Sequence, residues 1–261
     1  MKKLGVVGHF GFGHDLLNGQ TIKVKILFQE FQKQLGTENT MAVDTHGGAK
    51  KVPAMIANTI KMFRQCENCM VLPAYKGVLL FTPLFSVLNK IYHRKTYYIV
   101  VGGWLDSYLD KYKWLEKQLK NYTAICVETT TMKKALEKRG FQNIELMKNC
   151  KALQKLSFEE LPHSFTEPYA LCTFSRVMKE KGIENLINAI KEVNEKFGSV
   201  VFTLDIYGEV WKDYTHEFEE LQKNFPEYIK YKGSVNYDES VETLKNYFAL
   251  VFPTLFYTEG I

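Results

Sequence analysis

The chain has 261 residues, of which 46% are hydrophobic and 24% are charged. This composition is typical of a globular protein with one large domain or two modest ones. The net charge of +5 suits anionic small ligands or an acidic membrane surface, but it is too small to indicate nucleic-acid binding without a concentrated basic patch. The longest apolar run, at residues 77–88, is too short to span a bilayer. The N-terminus does not predict a signal peptide.

The five cysteines are odd in number and scattered, which is typical of a reduced cytosolic protein. Cys66 and Cys69 form the only close pair in the sequence. They lie between a helical segment and a strand, where a redox motif is not expected, and a structural zinc site would need two more nearby ligands. We interpret their spacing as chance and predict a cytoplasmic protein.

The first half opens with a short apolar strand, predicted at residues 4–7, and a glycine-rich segment at residues 8–19 that carries His9 and His14. An amphipathic helix follows and ends at Gly36. Strand, glycine-rich loop and helix form the opening unit of a nucleotide-binding fold, although the spacing matches neither a dinucleotide fingerprint nor a P-loop. We interpret the loop as the floor of a ligand site, where glycines let the backbone approach closely. The alternative is a flexible connector.

Apolar runs that are typical of buried strands then alternate with helical patterns. The runs lie at residues 40–43, 70–72, 97–101, 124–127 and 144–146. This alternation predicts a parallel sheet with helices on both faces. Ligands of such sheets lie at the carboxyl ends of the strands, which are followed here by loops at residues 8–19, 44–48, 101–104 and 128–131. Thr129 or Thr130 is predicted to cap the helix that follows the last loop.

Two further segments bear on membrane contact and domain organisation. In residues 110–121, aromatic and leucine residues alternate with lysines, which predicts an ordinary surface helix with one buried face. The alternative is an interfacial helix that rests on anionic lipid. Residues 148–166 have weak periodicity and are typical of a connector, so we predict one domain at residues 1–163 and a second at residues 164–261.

The second half begins with a strand at residues 170–174, followed by Arg176 and a Lys181-Gly182 pair. A helix then carries apolar residues on one stripe and ends at Gly198; the stripe consists of Ile183, Leu186, Ile187, Ile190, Val193 and Phe197. A basic loop between a strand and a helix N-terminus is suited to hold phosphate, because the helix dipole and two cations favour an anion. The alternative is two solvated cations beside a turn.

The rest of this half continues the alternation. A strand at residues 202–206 ends at Gly208, and a second strand at residues 228–231 leads to Gly233. Residues 248–252 are predicted to form a buried strand. A last strand that no helix covers would leave apolar surface exposed, so we expect the second domain to be incomplete.

Four segments of the second half match a known family in the right order. Residues 174–182 (Phe-Ser-Arg-Val-Met-Lys-Glu-Lys-Gly) resemble the Gly-Arg-x-x-x-x-Lys-Gly segment of retaining GT-B glycosyltransferases of the family-4 group, and residues 206–208 resemble its strand-end glycine loop. Residues 231–235 resemble its Phe-x-Gly-x-Val, and residues 252–260 its Pro-Ser-x-x-Glu-Gly. The resemblance implies an α/β GT-B fold of two Rossmann-like domains, with parallel sheets facing a central cleft.

The resemblance also implies which residues bind the donor. Arg176 and Lys181 would hold the diphosphate of a UDP- or GDP-sugar. Two cations that neutralise the charge growing on a leaving group provide electrostatic catalysis, so neither a metal nor another cofactor is expected.

Four further site residues follow from the resemblance. Glu259 would be the catalytic residue near the donor sugar, as the first glutamate of a paired motif whose second glutamate would lie beyond Ile261. Gly208 would lie near the nucleotide. The backbone of Gly19, followed by Gln20, would approach the donor from the first domain.

Many members of this family place a histidine at the end of a first-domain strand, near the reacting centre. The corresponding region here is Val-Gly-Gly-Trp at residues 101–104. His9, His14 and His46 are the candidates for this role, and their spacing does not choose among them. For each one, a solvent-facing side chain is the favoured interpretation.

The function implied is a retaining, metal-independent hexosyltransferase. It would move a sugar from a nucleotide-sugar to a glycan or lipid-linked acceptor in cell-surface polysaccharide synthesis, with peripheral contact at the inner face of the membrane and no nucleic-acid partner. The alternative is a non-catalytic fragment that binds a sugar-nucleotide or a partner. A third hypothesis, a dinucleotide-dependent oxidoreductase, would use Asp44 to bind ribose, but the glycine spacing disagrees and the second half is left unexplained.

Overall fold

The computed structural model describes residues 1–14, 19–73, 75–149, 155–162 and 164–255. Contacts divide the chain into two compact units, with Met1–Ala152 in the first and Leu153–Tyr257 in the second. Within the described residues the first unit has a six-stranded sheet and the second a four-stranded sheet, and all pairings are parallel. The predicted α/β fold with parallel sheets is confirmed. The domain boundary predicted after residue 163 stays a prediction.

The first unit alternates strands and helices along the chain. Its strands are β1 (Lys2–Gly8), β2 (Thr40–Asp44), β3 (Cys66–Leu72), β4 (Lys95–Ile99), β5 (Ala124–Val127) and β6 (Ile144–Leu146). Its helices are α1 (Gly19–Leu35), α2 (Val52–Gln65), α3 (Gly77–Tyr92), α4 (Leu105–Lys111), α5 (Trp114–Leu119) and α6 (Thr130–Lys138). The strand order β2-β1-β3-β4-β5-β6 makes the carboxyl ends of β1 and β2 neighbours, and likewise those of β4 and β5.

Both faces of this sheet are covered by helices, as predicted. Successive residues of β1 point to opposite faces, because side chains alternate along a strand. Val6 packs with Val24 and Phe28 of α1, whereas Val7 belongs to the larger cluster that includes Phe63 and Phe85 of α2 and α3. Thr129 caps α6, since its hydroxyl oxygen accepts a hydrogen bond from the Met132 N–H at 3.1 Å.

The prediction of a single helix at residues 110–121 is wrong. α4 ends at Lys111, Tyr112 leaves the helical conformation with φ −126° and ψ 58°, and a separate short helix, α5, follows. Leu115 and Leu119 are buried while Trp114 is 48% exposed, so α5 does have one buried face. In the part of the chain that the structure describes, every helix is too short or too polar to span a bilayer.

Cys66 and Cys69 lie on β3 inside the hydrophobic core of the first unit. Burial raises the pKa of the Cys66 thiol, and it raises the pKa of Cys69 to about 12. A thiol that stays protonated at neutral pH is a poor nucleophile and a poor metal ligand. The pair therefore contributes to packing in the core of the first unit.

The second unit repeats the alternation on a smaller scale. Its strands are β7 (Tyr169–Phe174), β8 (Phe202–Tyr207), β9 (Ile229–Gly233) and β10 (Ala249–Leu250), and its helices are α7 (Ile183–Phe197), α8 (Thr215–Gln222) and α9 (Ser240–Leu244). The strand order is β10-β7-β8-β9. β7 and β8 are therefore the central strands, and their carboxyl ends lie side by side.

α7 begins after Gly182 and is followed by Gly198, as predicted, but one residue of its predicted apolar stripe is exposed and another, Val193, is only half-buried. Phe197 is 67% exposed because it lies in the last helical turn, at the margin of the core. Asn194 is buried in that region instead. Its side-chain amide bonds to the backbone of Val201 and Phe202 at 2.9–3.0 Å and so ties the end of α7 to the start of β8.

The buried strand predicted at residues 248–252 is only partly correct. β10 is a two-residue edge strand that pairs with β7. Phe248, Leu250 and Phe252 are 48%, 40% and 55% exposed. An edge strand has neighbours on one side only, and these side chains are correspondingly less covered than those of β7 and β8.

Candidate functional site

The loops that follow β7 and β8 are joined to each other beyond the ends of the strands. The Ser175 N–H donates to the Tyr207 carbonyl at 3.1 Å, and the Val177 N–H donates to the Glu209 carbonyl at 2.9 Å. In the opposite direction, the Trp211 N–H donates to the Val177 carbonyl at 2.8 Å. These hydrogen bonds pair backbone groups of the two loops that would otherwise lack a partner. We call these two joined segments, residues 175–178 and 208–211, the loop platform.

Gly208 is the point of closest approach within the loop platform. A Cβ atom at this position would lie 1.8 Å from the Ser175 carbonyl oxygen, and the backbone φ is +137°. Its own N–H donates to the Gly233 carbonyl at 2.9 Å, and its carbonyl accepts from the Tyr231 hydroxyl at 2.8 Å. Only glycine fits here without displacing the backbone.

Arg176 lies on the loop platform with an exposed side chain. Its guanidinium carbon is 5.0 Å from the centre of the Trp211 ring. Among the residues that the structure describes, no carboxylate forms an ion pair with Arg176. In the described part of the chain, the guanidinium therefore contacts an aromatic ring and not a carboxylate.

Lys181 and Gly182 lie where the loop meets α7. Lys181 is half-buried at the end of a short 3-10 turn, and Gly182 precedes α7 in the left-handed conformation, with φ +67°. A Cβ atom on Gly182 would lie 2.1 Å from the Pro253 carbonyl oxygen, and the Leu255 N–H donates to the Glu180 carbonyl at 2.9 Å. The segment after β10 thus packs against the N-terminus of α7. The predicted order of strand, basic loop and helix N-terminus is present.

In the first unit, Asp44 organises the glycine-rich loop. One carboxylate oxygen accepts from the backbone N–H groups of Phe10, Gly11 and His46 at 2.9–3.1 Å, and the other accepts from Phe12 at 3.0 Å. Burial by itself would raise the pKa of the Asp44 carboxyl, but these four hydrogen bonds outweigh it and lower that pKa below its usual value. The carboxylate is occupied by its own loops and is not available to bind a ribose, which disfavours the oxidoreductase hypothesis.

The Asp44 contacts bring the three candidate histidines together. One ring nitrogen of His9, Nδ1, lies 2.7 Å from the Thr21 hydroxyl, and the other, Nε2, lies 3.2 Å from Nδ1 of His46. The His14 ring centre is 4.6 Å from that of His46. Desolvation, together with the neighbouring His46, lowers the pKa of His9. His14 is exposed, whereas His9 and His46 are half-buried and bonded to each other, so the solvent-facing interpretation is correct for His14 alone.

The two predicted donor residues of the first unit begin α1. Gly19 is exposed, and among the residues that the structure describes a Cβ atom there would meet nothing within 4 Å. Gln20 donates its side-chain amide to the Leu72 carbonyl, at the end of β3, at 3.2 Å. Gln20 thus has a structural partner, while the local packing does not require glycine at position 19. Their predicted roles in donor binding stay predictions.

A buried ion pair in the first unit was not predicted from the sequence. Lys23 of α1 binds Glu128 at the end of β5, and their side chains are only 3% and 8% exposed. The second carboxylate oxygen of Glu128 accepts from the Gly102 N–H at 2.9 Å. This pair ties α1 to the loops after β4 and β5. The sequence gives no sign of it, because the two partners are 105 positions apart.

Two other expectations, the catalytic glutamate and metal independence, are not tested by the structure. Glu259, the predicted catalytic residue, lies outside the described residues. Within the described ranges, no three His, Cys, Asp or Glu side chains are placed to hold a metal ion. The expected metal independence stays a prediction.

No protein-family model matches the chain, and a search of curated proteins finds no similar sequence. Solved structures of glycosyltransferases are similar in fold. The lipopolysaccharide outer core galactosyltransferase WaaB is 11% identical with a TM-score of 0.60, over 97% of this chain and 74% of WaaB. Anabaena Alr3699/HepE, solved in complex with UDP and glucose, is 11% identical with a TM-score of 0.57, over 91% of this chain and 70% of HepE.

TarM is 17% identical with a TM-score of 0.55, over 77% of this chain. The matched region spans only 40% of the TarM chain. At such low identity these likenesses establish the fold and leave the activity to be argued from the site. The chain has the α/β fold of GT-B glycosyltransferase structures, with two parallel sheets.

Proposed function

We propose that the chain binds a nucleotide-sugar through the loop platform and the N-terminus of α7, and that it acts in sugar transfer to a hydroxyl of an acceptor. The observation that carries the proposal is the state of Arg176. It is an exposed guanidinium at the carboxyl end of a central strand, and its described partner is an aromatic ring rather than a carboxylate. Ligands of parallel α/β sheets bind at such strand ends.

A diphosphate fits the chemistry of this position. Arg176 and Lys181 lie on the one segment that connects β7 to α7. A guanidinium offers several N–H donors to phosphate oxygens, and a helix N-terminus adds partial positive charge. When a sugar leaves a nucleoside diphosphate, negative charge grows on the diphosphate, and fixed cations stabilise that charge in the transition state.

The finer assignments belong to the same proposal. The donor is a UDP- or GDP-sugar, and the structural likeness to HepE, which was solved with UDP, favours UDP. Transfer is of the retaining, family-4 type and needs no metal, and the acceptor is a glycan or lipid-linked glycan in polysaccharide synthesis. Glu259 contacts the donor sugar, Gly208 lies near the nucleotide, and Gly19 and Gln20 bind the donor.

The test separates binding from turnover. The protein is incubated with UDP- and GDP-sugars, with and without glycan and lipid-linked acceptors, and both released nucleoside diphosphate and glycosylated acceptor are measured. Acceptor-dependent release supports the transferase. Binding of a nucleoside diphosphate without any transfer supports the alternative of a non-catalytic sugar-nucleotide-binding chain. If the protein neither binds nor transfers with any of the donors, the proposal is contradicted.

A further inference from the structure

We infer that Trp211 is a positioning residue for the diphosphate: its indole ring orients the Arg176 guanidinium without neutralising it. The inference rests on the proposed function and concerns a residue to which the sequence analysis gave no role. Trp211 is 42% exposed, so its ring is not there to fill the core of the second unit.

The contact uses the ring face, which suits a cation that must also bind a ligand. The Arg176 guanidinium carbon lies over the indole at 5.0 Å from the ring centre. The face of an indole ring offers no carboxylate oxygen to the guanidinium N–H donors, so these donors stay available to a ligand. A carboxylate in the same place would occupy those donors and cancel the charge.

Trp211 and Arg176 lie on two backbone segments that are joined to each other by hydrogen bonds. The residue after Arg176, Val177, is fully buried and forms a parallel bridge with Val210, the residue before Trp211. The Trp211 N–H bonds to the Val177 carbonyl at 2.8 Å, and the Trp211 carbonyl accepts from the Tyr214 N–H at 2.8 Å. Because both backbones are fixed, the ring restricts the arginine side chain, which would otherwise sample many rotamers in solvent.

Arg139 shows what a purely structural guanidinium looks like in this protein. It is ion-paired with Asp106, Asp110 and Glu116 and bridges α4, α5 and the end of α6. Arg176 has no such carboxylate among the residues that the structure describes. The indole is thus a support that keeps the cation both ordered and charged.

The experiment is a double-mutant cycle on ligand binding. Titration calorimetry measures the affinity for UDP, GDP and inorganic pyrophosphate in the wild type, Trp211→Ala, Trp211→Phe, Arg176→Ala and the double variant Arg176→Ala/Trp211→Ala. Trp114→Ala removes an equally exposed tryptophan from the first unit and is the matched control. Thermal unfolding of each variant shows whether the second unit still folds.

We expect Trp211→Ala to weaken binding about two- to fivefold, the size of an exposed cation–π contact, and Trp211→Phe to restore most of the affinity. Trp114→Ala should bind like the wild type. In the Arg176→Ala background, removing Trp211 should have no further effect, because the ring acts through the guanidinium.

The inference is overturned if Trp211→Ala binds as tightly as the wild type, or if its effect persists in the Arg176→Ala background. These outcomes leave the proposed function standing, because the wild type still binds. If the wild type binds none of the three ligands, the proposed function itself is contradicted, and the inference is contradicted with it.

Discussion

At the scale of single residues, charges that are partly or wholly buried have different partners from the exposed charge of Arg176. Asp44 is surrounded by four backbone N–H groups, and Glu128 is paired with Lys23 and the Gly102 N–H. A buried charge must be paired or hydrogen-bonded, because removing it from water is costly. Arg176 is exposed to water, so its charge does not need a partner within the protein. The charge is therefore available to a ligand.

Asp44 gives the first prediction at this scale. Asp44→Asn removes the charge and places an amide NH2 group, which cannot accept a hydrogen bond, beside the Phe12 N–H. We therefore expect the free energy of unfolding to fall by about 1–3 kcal/mol at pH 7. Urea denaturation of the wild type and the variant measures the difference.

The same substitution predicts a pH dependence. Because the folded protein lowers the pKa of Asp44, the carboxylate stabilises the fold above the unfolded value of 3.8, and this stabilisation is lost as the pH falls through the lowered folded pKa. The difference between wild type and Asp44→Asn should therefore shrink progressively below pH 3.8. A difference that is constant with pH would show that the charge of Asp44 has no part in stability.

Residue contacts were the least predictable feature. The sequence did indicate Arg176, Lys181 and Gly208, because each lies at a fixed offset from an apolar run. It did not indicate Trp211 as the partner of Arg176, nor Lys23 as that of Glu128. Such pairs are decided by which strand ends become neighbours in the sheet, and a one-dimensional pattern does not contain that order.

At the scale of elements, the site belongs to strand ends and not to strand interiors. β7 and β8 pair in register from Tyr169 and Phe202 onward, and their loops continue the pairing as far as Trp211. The extension depends on Gly208, because any side chain there would push the two loops apart. Formation of the loop platform is thus tied to one glycine.

Gly208→Ala tests this dependence, with Gly233→Ala as its matched control. Both glycines have positive φ, +137° and +75°, but a Cβ at position 233 would meet no described residue within 4 Å. We expect Gly233→Ala to cost about 1 kcal/mol of stability, the usual penalty for a left-handed residue with a side chain. Gly208→Ala should cost at least about 3 kcal/mol, because the backbone must also move.

Urea denaturation gives these two costs, and calorimetry with UDP shows whether Gly208→Ala also weakens binding. Equal destabilisation by the two substitutions would mean that the close approach of Gly208 to Ser175 does not matter.

Element types were largely predictable, and their ends were not. Central strands of parallel sheets are covered on both faces and therefore appear as continuous apolar runs, as in β7 and β5. β3 begins at Cys66, four residues before its predicted start at residue 70. The prediction began too late because polar Glu67 and Asn68 interrupt the apolar run. The break at Tyr112 was missed because apolar residues on both sides keep a helical spacing.

At the scale of the whole molecule, two α/β units follow each other along one chain, and each contains a parallel sheet. Alternating apolar runs and amphipathic helices were sufficient to predict this architecture, since they leave few other ways to bury both faces of each sheet. The fold itself is compatible with many activities. The proposed function therefore depends on Arg176 and Lys181, and on what they bind.

Calorimetric titration of a nucleoside diphosphate tests that claim most directly. The proteins compared are the wild type, Arg176→Ala, Lys181→Ala and the control Lys179→Ala, which removes an exposed lysine from the same short turn. We predict that each of the first two substitutions weakens binding of UDP or GDP by about 1–3 kcal/mol, as expected for a charge-assisted contact, while Lys179→Ala has little effect. Wild-type affinity in both Arg176→Ala and Lys181→Ala would contradict the account.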